Sequence, residues 1–206
     1  MVSTRKKVST AVIAALAGTL VTRLAAAAAF PYRDLSVAVV SNSGGPGSLF
    51  GPAVSGTFDI APHIALIGSG SYVSGNDAHL GNIAAGGEYH WTVARNLDLL
   101  AGVEFVHYSA SQTFYIPGLG LFAGSSTSSG LDAHGGVRYW VAPRLELDGD
   151  VDLASCAGCS AGVTAEGRYY LARSLSLDGM VASSDGGWYG TTVGAGITYV
   201  FGTSGQ

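Results

Sequence analysis

A hairpin unit that occurs four times is the feature that most constrains the fold of this chain. Residues 138–149 read RYWVAPRLELDG and residues 168–179 read RYYLARSLSLDG. Two looser copies precede them, HWTVARNLDLLAG and TFDIAPHIALIG. In each unit an aromatic residue stands three positions before an alanine, and two aliphatic residues separated by one position follow a short break. A recurring unit with spacers of variable length is typical of an array of hairpins.

Apolar residues fall on every second position on both sides of each break, which is the period of a β-strand. A soluble β-sandwich would accept this alternation. The aromatic residues distinguish the two cases, because those of the four units lie on the apolar face just before the turn. Aromatic residues at one level are typical of a strand that meets the water interface of a bilayer. The predicted aromatic belt comprises Phe58, Trp91, Tyr139, Tyr169, Tyr199 and Phe201.

Four inner breaks require five outer hairpins, so we predict an all-β, up-and-down antiparallel transmembrane barrel of ten strands. Eight strands are the alternative if the segments through Leu35 and Val54 do not both enter the sheet. Charged residues make up 12% of the chain, about half of the usual ~25%. No apolar run after residue 30 approaches the ~20 residues of a spanning helix. The net charge of −4 argues against a nucleic-acid partner.

The first 29 residues have the pattern of a secretory signal peptide. Arg5, Lys6 and Lys7 form a basic start, a mostly apolar segment follows, and small residues that fit an Ala-x-Ala cleavage site end it. An uncleaved anchor helix is the alternative, although Arg23 interrupts the apolar stretch. We therefore predict a signal peptide over residues 1–29 and a barrel domain over residues 30–206.

The polar face of the predicted strands carries most of the charges. A barrel of ~8 strands has an interior just filled by side chains, whereas open channels appear at ~16 strands. We therefore expect a plugged or very narrow lumen, with Arg138 and Arg168 near its inner end and Glu88, Glu146 or Glu166 as partners. A narrow cation-preferring pore, or a divalent-ion site at Asp150 and Asp152, is the alternative. The predicted charge network comprises Glu88, Glu104, Arg138, Glu146, Asp148, Glu166, Arg168 and Asp178.

The two cysteines, Cys156 and Cys159, lie between the seventh and eighth predicted strands. In an exported protein this spacing predicts a disulfide across a tight turn. A thioredoxin-like redox motif would need a helix after the cysteines, and a zinc site would need two more ligands nearby. The sequence supports neither, and it predicts no cofactor, no metal ion and no catalytic residue.

Two outer segments, residues 41–52 and residues 110–129, are predicted to be loops. Within the second, Phe114, Tyr115, Ile116 and Phe122 flank a Pro-Gly pair. Such an apolar segment predicts an adhesive tip that contacts a surface partner, or extended strands whose aromatic rings pack on their neighbours.

The signal peptide, the repeated aromatic-x-x-Ala hairpins and the final Tyr199-x-Phe201 resemble the small outer-membrane β-barrel proteins of the opacity and OmpA-like group. The resemblance implies a location in the bacterial outer membrane, contact with its lipid, and insertion by the outer-membrane assembly machinery. That machinery recognises a terminal strand that ends in an aromatic residue, whereas five residues follow Phe201 here. A structural or adhesin-like role through the outer loops is the expectation, and the chain is not expected to be an enzyme.

One short motif offers an enzymatic alternative. His107-Tyr108-Ser109 is similar to the His-x-Ser of the outer-membrane lipid A deacylases, and period two places the histidine and serine on one face. The family has an asparagine after the serine where this chain has Ala110, and a glutamate on the next strand. The next acid here is Asp132.

Overall fold

The computed structural model describes residues 30–43, 48–75, 77–117, 120–155, 161–185 and 190–201, apart from the side chains at positions 114 and 116. The predicted signal peptide and the predicted Cys156–Cys159 disulfide lie outside these ranges. Within them, no helix is long and apolar enough to cross a membrane. The described strands are β1 Arg33–Asn42, β2 Leu49–Ala61, β3 Ile64–Gly75, β4 Ala78–Ala94, β5 Leu97–Ile116, β6 Gly120–Ala142, β7 Leu145–Ala154, β8 Ala161–Ala172, β9 Leu175–Ser184 and β10 Thr191–Val200.

Each strand pairs with its neighbours in sequence, and β1 pairs with β10, so the sheet is a closed antiparallel barrel. The prediction of an all-β, up-and-down barrel with ten strands is confirmed. At the closing seam, the backbone N–H of Phe201 donates to the carbonyl of Arg33 at 2.8 Å. The described ends of the barrel therefore meet at the same margin as the four short turns, which we call the inner end.

Each copy of the repeated unit forms the same structure, a β-bulge followed by a two-residue turn. The four inner turns are two residues long, at residues 62–63, 95–96, 143–144 and 173–174. The strand before each turn shows a register shift between the second and fourth residues of the aromatic-x-x-Ala motif, as between Trp140 and Ala142. Such a bulge adds one unpaired residue and increases the local twist. The motif therefore specifies how each hairpin reverses at the inner end.

Part of the predicted outer loop 41–52 is strand, and the segment 110–129 adopts the extended-strand alternative predicted for it. Residues 41–52 were expected to form an outer loop, but β1 continues to Asn42 and β2 begins at Leu49. A Cβ at Gly51 would lie 1.9 Å from the carbonyl oxygen of Tyr72, so this glycine permits close approach of two strands. Residues 110–129 likewise continue an unbroken β5–β6 ladder that reaches the Ile116–Gly120 pair. In both segments, small residues that are typical of loops occupy extended backbone.

The outer surface of the barrel is apolar, and the inside is polar at one end. Ile83, Val103 and Leu153 on the outer face are 63%, 51% and 66% exposed in the isolated chain. A soluble protein does not leave so many contiguous apolar side chains in water, whereas lipid acyl chains cover them favourably. By contrast, Glu146 is fully buried and Asp98 is 2% exposed, both inside the barrel. The fold therefore has the polarity of a membrane barrel.

Inward-facing glycines make room for charged side chains on the next strand. A Cβ at Gly136 would lie 1.8 Å from Oδ1 of Asp150, its cross-strand partner. A Cβ at Gly102 would lie 2.4 Å from the ring of His134, again its cross-strand partner. The charged side chain can therefore lie flat against the wall because its neighbour has no side chain.

Candidate functional site

Arg138 is at the centre of a buried ion-pair network at the inner end of the lumen. Its side chain is 6% exposed and faces Glu146, whose side chain is fully buried. The Nε atom of Arg138 donates to Glu146 Oε1 and to Asp148 Oδ1, each at 3.1 Å, and Nη2 also donates to Glu146. Tyr170 donates its hydroxyl to the other Glu146 oxygen at 2.9 Å. Both oxygens of the buried carboxylate are thus satisfied, as a buried charge requires.

Arg168 extends this network around the barrel. Its Nη2 atom donates to Glu166 Oε1 at 2.9 Å, and its Nη1 atom donates to Asp34 Oδ2 at 3.3 Å. Nη1 also lies 3.6 Å from Glu146 Oε1, and Nε lies 3.7 Å from Asp178 Oδ1. Two arginines thereby join carboxylates from β1, β7, β8 and β9. The network connects strands on both sides of the barrel and fills the space between them.

The segment before β1 completes this layer. Tyr32 is 4% exposed and donates its hydroxyl to Asp98 at 2.7 Å, while burial raises the pKa of its phenol. The guanidinium of Arg138 lies over the Tyr32 ring at 5.0 Å and over the Phe30 ring at 5.6 Å, and Nη1 donates to the carbonyl of Pro31. Such cation–π contacts are stronger when both groups are shielded from water. Residues 30–32 therefore pack into the inner mouth.

A second cluster lies further towards the outer end. Glu88 contacts His134, with 3.3 Å between Oε2 and Nε2, and is not among the partners of Arg138 or Arg168. Glu104 and Asp132 face one another directly across β5 and β6, and His134 faces Asp152 across β6 and β7. In the described part of the chain, no group of three or more His, Cys, Asp and Glu side chains is arranged to hold a metal ion.

Two cavities lie on opposite sides of the arginine layer. The outer cavity has a volume of about 520 Å³, and Arg138 and Arg168 lie at its base. The inner cavity has a volume of about 590 Å³ and includes Tyr32, His90 and Asp98 in its wall. None of these three side chains lines the outer cavity, and Tyr32 of the inner cavity contacts Arg138 of the outer cavity. The carboxylates that line the outer cavity are Asp34, Glu88, Glu104, Asp132, Asp148, Asp150, Asp152 and Glu166.

The outer end of the lumen also contains an apolar cluster that sequence reasoning missed. Val40, Leu49, Val73, Ala78 and Leu80 pack together inside the barrel near the ends of β1 to β4. At this end of the barrel the strands carry apolar side chains on the inward face as well as on the outward face. The interior therefore combines carboxylates along much of its length with an apolar cluster at the outer ends of β1 to β4. Sequence reasoning also missed Tyr32, Asp34 and Tyr170, because their roles depend on contacts between distant strands.

The residues of the predicted aromatic belt lie close to the inner turns. Trp91 pairs with Leu99 across the turn, Tyr139 with Leu97, and Tyr169 with Leu145 and Leu177. The guanidinium of Arg33 lies 5.6 Å above the Phe58 ring, and the Tyr199 and Phe201 rings make an edge contact at 5.1 Å. The structure thus places all six on the inner half of the barrel wall.

The His107 motif has a different geometry from the deacylase pattern. His107 Nδ1 lies 2.7 Å from the hydroxyl of Ser129, its cross-strand neighbour on β6. The Ser109 hydroxyl contacts the carbonyl of Gly81 at 3.5 Å. The structure therefore pairs His107 with Ser129 and does not bring Ser109 to it.

No protein-family model matches the sequence, and no curated protein matches it. Solved structures do match. The KdgM porin is 9% identical, with 82% of this chain and 99% of that chain covered and a TM-score of 0.47. Neisserial surface protein A is 17% identical, with 82% and 95% covered and a TM-score of 0.41. Ail, the attachment invasion locus protein of Yersinia pestis, is 10% identical, with 84% and 100% covered and a TM-score of 0.41.

The closed barrel of ten antiparallel strands is the fold that the resemblance to small outer-membrane β-barrels implied. At these identities and TM-scores the comparisons carry no argument about function, which is inferred from the geometry of the chain itself.

Proposed function

We propose that this chain is a bacterial outer-membrane barrel with a blocked lumen, whose role is a surface interaction made by the β5–β6 hairpin. The observation that carries the proposal is the length of that hairpin. β5 has 20 residues and β6 has 23, whereas β7, β9 and β10 have 10 each. The extra residues lie at the outer end, because the β5–β6 ladder continues to the Ile116–Gly120 pair whereas the described β6–β7 ladder ends at Asp132–Ala154. We use the name projecting hairpin for residues 107–130.

The projecting hairpin has the surface of a contact element. Leu121 is 75% exposed and Tyr115 is 66% exposed, and residues 121–127 are exposed without interruption. Both faces of this part are open, unlike the barrel wall, where inward positions are covered. Exposed apolar side chains at a rigid tip favour contact with another surface. The two strands hold the tip in a defined position because their ladder is unbroken.

The blocked lumen supports an interaction role over transport. An ion that crossed the barrel would have to displace the layer formed by Tyr32, Asp98, Arg138 and Glu146, which is held by charge-assisted hydrogen bonds. A cation-preferring pore remains chemically reasonable for the acidic outer cavity, but its inner exit is closed by this layer. The proposed partners during biogenesis are outer-membrane lipid and the assembly machinery, and the surface partner would contact the projecting hairpin.

Attachment of cells tests the interaction role. Full-length protein is expressed at the surface of a non-adherent bacterial host, next to a variant in which residues 113–123 are replaced by a short Asn-Gly turn. Retained cells are counted on wells coated with mucin, with serum proteins or with nothing. We expect the full-length protein to retain several-fold more cells on at least one surface, and the shortened variant to match the empty host. Equal retention by both proteins would overturn the proposed function.

Planar-bilayer recording tests the blocked lumen. We expect purified full-length protein to show no steady single-channel conductance. The double variant Tyr32→Ala, Arg138→Ala removes the inner layer and should conduct with preference for cations, because the outer cavity is acidic. Tyr199→Ala, on the outer face, is the matched control and should stay closed. Steady conductance by the full-length protein would show that the lumen is open.

A further inference from the structure

The inner cavity contains most of the buried polar atoms that lack a hydrogen-bond partner. Six buried side-chain nitrogen and oxygen atoms have no hydrogen-bond partner among the described residues, and four of them belong to Asp59, His90 and Asp98. All three residues line the inner cavity of about 590 Å³. Two of them are almost completely buried, with Asp98 2% exposed and His90 9% exposed. A buried polar group without a partner costs free energy, so this concentration points to a ligand.

The unpaired atoms are mostly hydrogen-bond acceptors. Oδ2 of Asp98 accepts from the Tyr32 hydroxyl, whereas Oδ1 accepts from no described residue. Oδ1 of Asp59 lies 3.6 Å from Nε2 of His90, which is too far for a hydrogen bond. Both carboxylate oxygens therefore require a donor, and a neutral His90 ring adds one acceptor nitrogen and one N–H. The cavity thus offers three acceptor atoms and one donor.

The nearby arginines direct their guanidinium groups elsewhere. Arg138 is the cross-strand partner of Asp98, but its guanidinium donates to the two glutamate and aspartate side chains of β7 that it faces and to a backbone carbonyl. The guanidinium of Arg33 lies over the ring of Phe58, which is 56% exposed on the outer wall. Within the described ranges, neither Asp59 nor Asp98 forms an ion pair with an arginine. The two carboxylates of the inner cavity therefore lack a bound cation of this kind.

We propose that the inner cavity binds a primary ammonium group through Asp98, Asp59 and His90. An ammonium group has three N–H donors and no acceptor, which matches the three acceptor atoms of the cavity. Its positive charge compensates the carboxylate of Asp98, which is shielded from water, and charge-assisted hydrogen bonds are strong in such surroundings. A metal ion is a poorer match, because no group of three or more ligating side chains in the described chain could hold one.

The chain itself can supply one such group. Residues 30–206 contain no lysine, so the α-amino group is the one primary amine of a chain that begins at Phe30. Hydrolysis at the predicted cleavage site would consume one water and leave a carboxylate on Ala29 and an α-ammonium on Phe30. Phe30 lines the same cavity and is 8% exposed, and its ring stacks on Trp140 at 5.6 Å. A small amine from the periplasm is the other source.

Titration of an acetylated protein tests the site. The chain is produced to begin at Phe30, acetylated at its single amine in denaturant, checked by mass spectrometry, and refolded into phosphatidylcholine nanodiscs. Propylammonium chloride is titrated into it in phosphate buffer and followed by calorimetry, with empty nanodiscs as the blank. We expect saturable binding of propylammonium. We expect no binding of 1-propanol, which has nearly the same shape but no charge.

Two carboxylate variants locate the binding. Asp98→Asn keeps an acceptor for Tyr32 but removes the charge, so it should weaken propylammonium binding by roughly tenfold or more. Asp132→Asn is the matched control, because Asp132 also has an unpaired Oδ1 but lines the outer cavity, and it should bind like the parent chain. Folding of each variant is checked by its heat-dependent mobility on a gel. Absence of saturable binding by the folded parent chain, equal binding of 1-propanol, or undiminished binding by folded Asp98→Asn would each overturn the inference.

The unacetylated chain identifies the source of the ammonium group. If the α-ammonium of Phe30 occupies the cavity, this form should bind propylammonium roughly tenfold more weakly than the acetylated form. Acetylation should then also lower the stability of the barrel in urea, and Asp98→Asn should abolish that difference, because the two changes remove the same contact. Equal binding of propylammonium by both forms would identify a free amine as the ligand of the same site.

Discussion

Replacement of Glu146 by glutamine should destabilise the barrel more than any other single charge neutralisation in the lumen. Glu146 is fully buried and accepts hydrogen bonds from Arg138 and Tyr170, with Arg168 at 3.6 Å. Glutamine keeps the shape of the side chain but removes the charge and one acceptor oxygen. Removal of one partner from a buried ion pair costs about 3–5 kcal/mol. Asp148 and Asp34 still partly compensate the two arginines, so we expect the lower end, about 3 kcal/mol.

The assay is reversible unfolding by urea from lipid vesicles, followed by tryptophan fluorescence, with the free energy extrapolated to water. Glu166→Gln is the matched control, because Glu166 also contacts Arg168 but its side chain is 26% exposed. Water can replace much of that contact, so a loss of about 1 kcal/mol or less is expected. If Glu146→Gln lowers the free energy of unfolding by less than about 1 kcal/mol, or if both variants lower it equally, the buried network does not stabilise the inner end as argued.

Two further predictions concern the barrel wall. Gly136→Ala should destabilise the barrel by about 1–3 kcal/mol in the same urea assay, because the new Cβ overlaps Asp150. Gly135→Ala, whose Cβ would meet only Leu100 O at 3.7 Å, is the control, and equal losses would contradict the close packing. In variants that keep one tryptophan each, brominated acyl chains should quench Trp91, which is 47% exposed on the outer face. Trp140 stacks on Phe30 inside the barrel and should be quenched far less, and equal quenching would contradict its inward position.

The sequence predicted the architecture because the features that define a membrane barrel, the alternation of each strand and the short inner turns, are local in sequence. Each strand must alternate between a face for lipid and a face for the lumen, and each inner hairpin must reverse within a few residues. Both requirements are visible within about ten residues, so the repeats around Ala142 and Ala172 predict the strands, the turns and the strand number. The outer segments were harder, because Gly51 and the serines of β6 look like loop residues until their neighbours on the next strand are known.

The partners inside the lumen could be decided only by the tertiary structure. Alternation places Arg138 and Glu146 on the inner face, but closure of the barrel brings Asp34 to Arg168 and Tyr32 to Asp98, which lie far apart in sequence. The length of the projecting hairpin likewise depends on where β7 stops beside β6. The sequence thus determined which face each side chain takes, because that depends on local period. The closed ring decided which side chains meet, because its register joins distant strands.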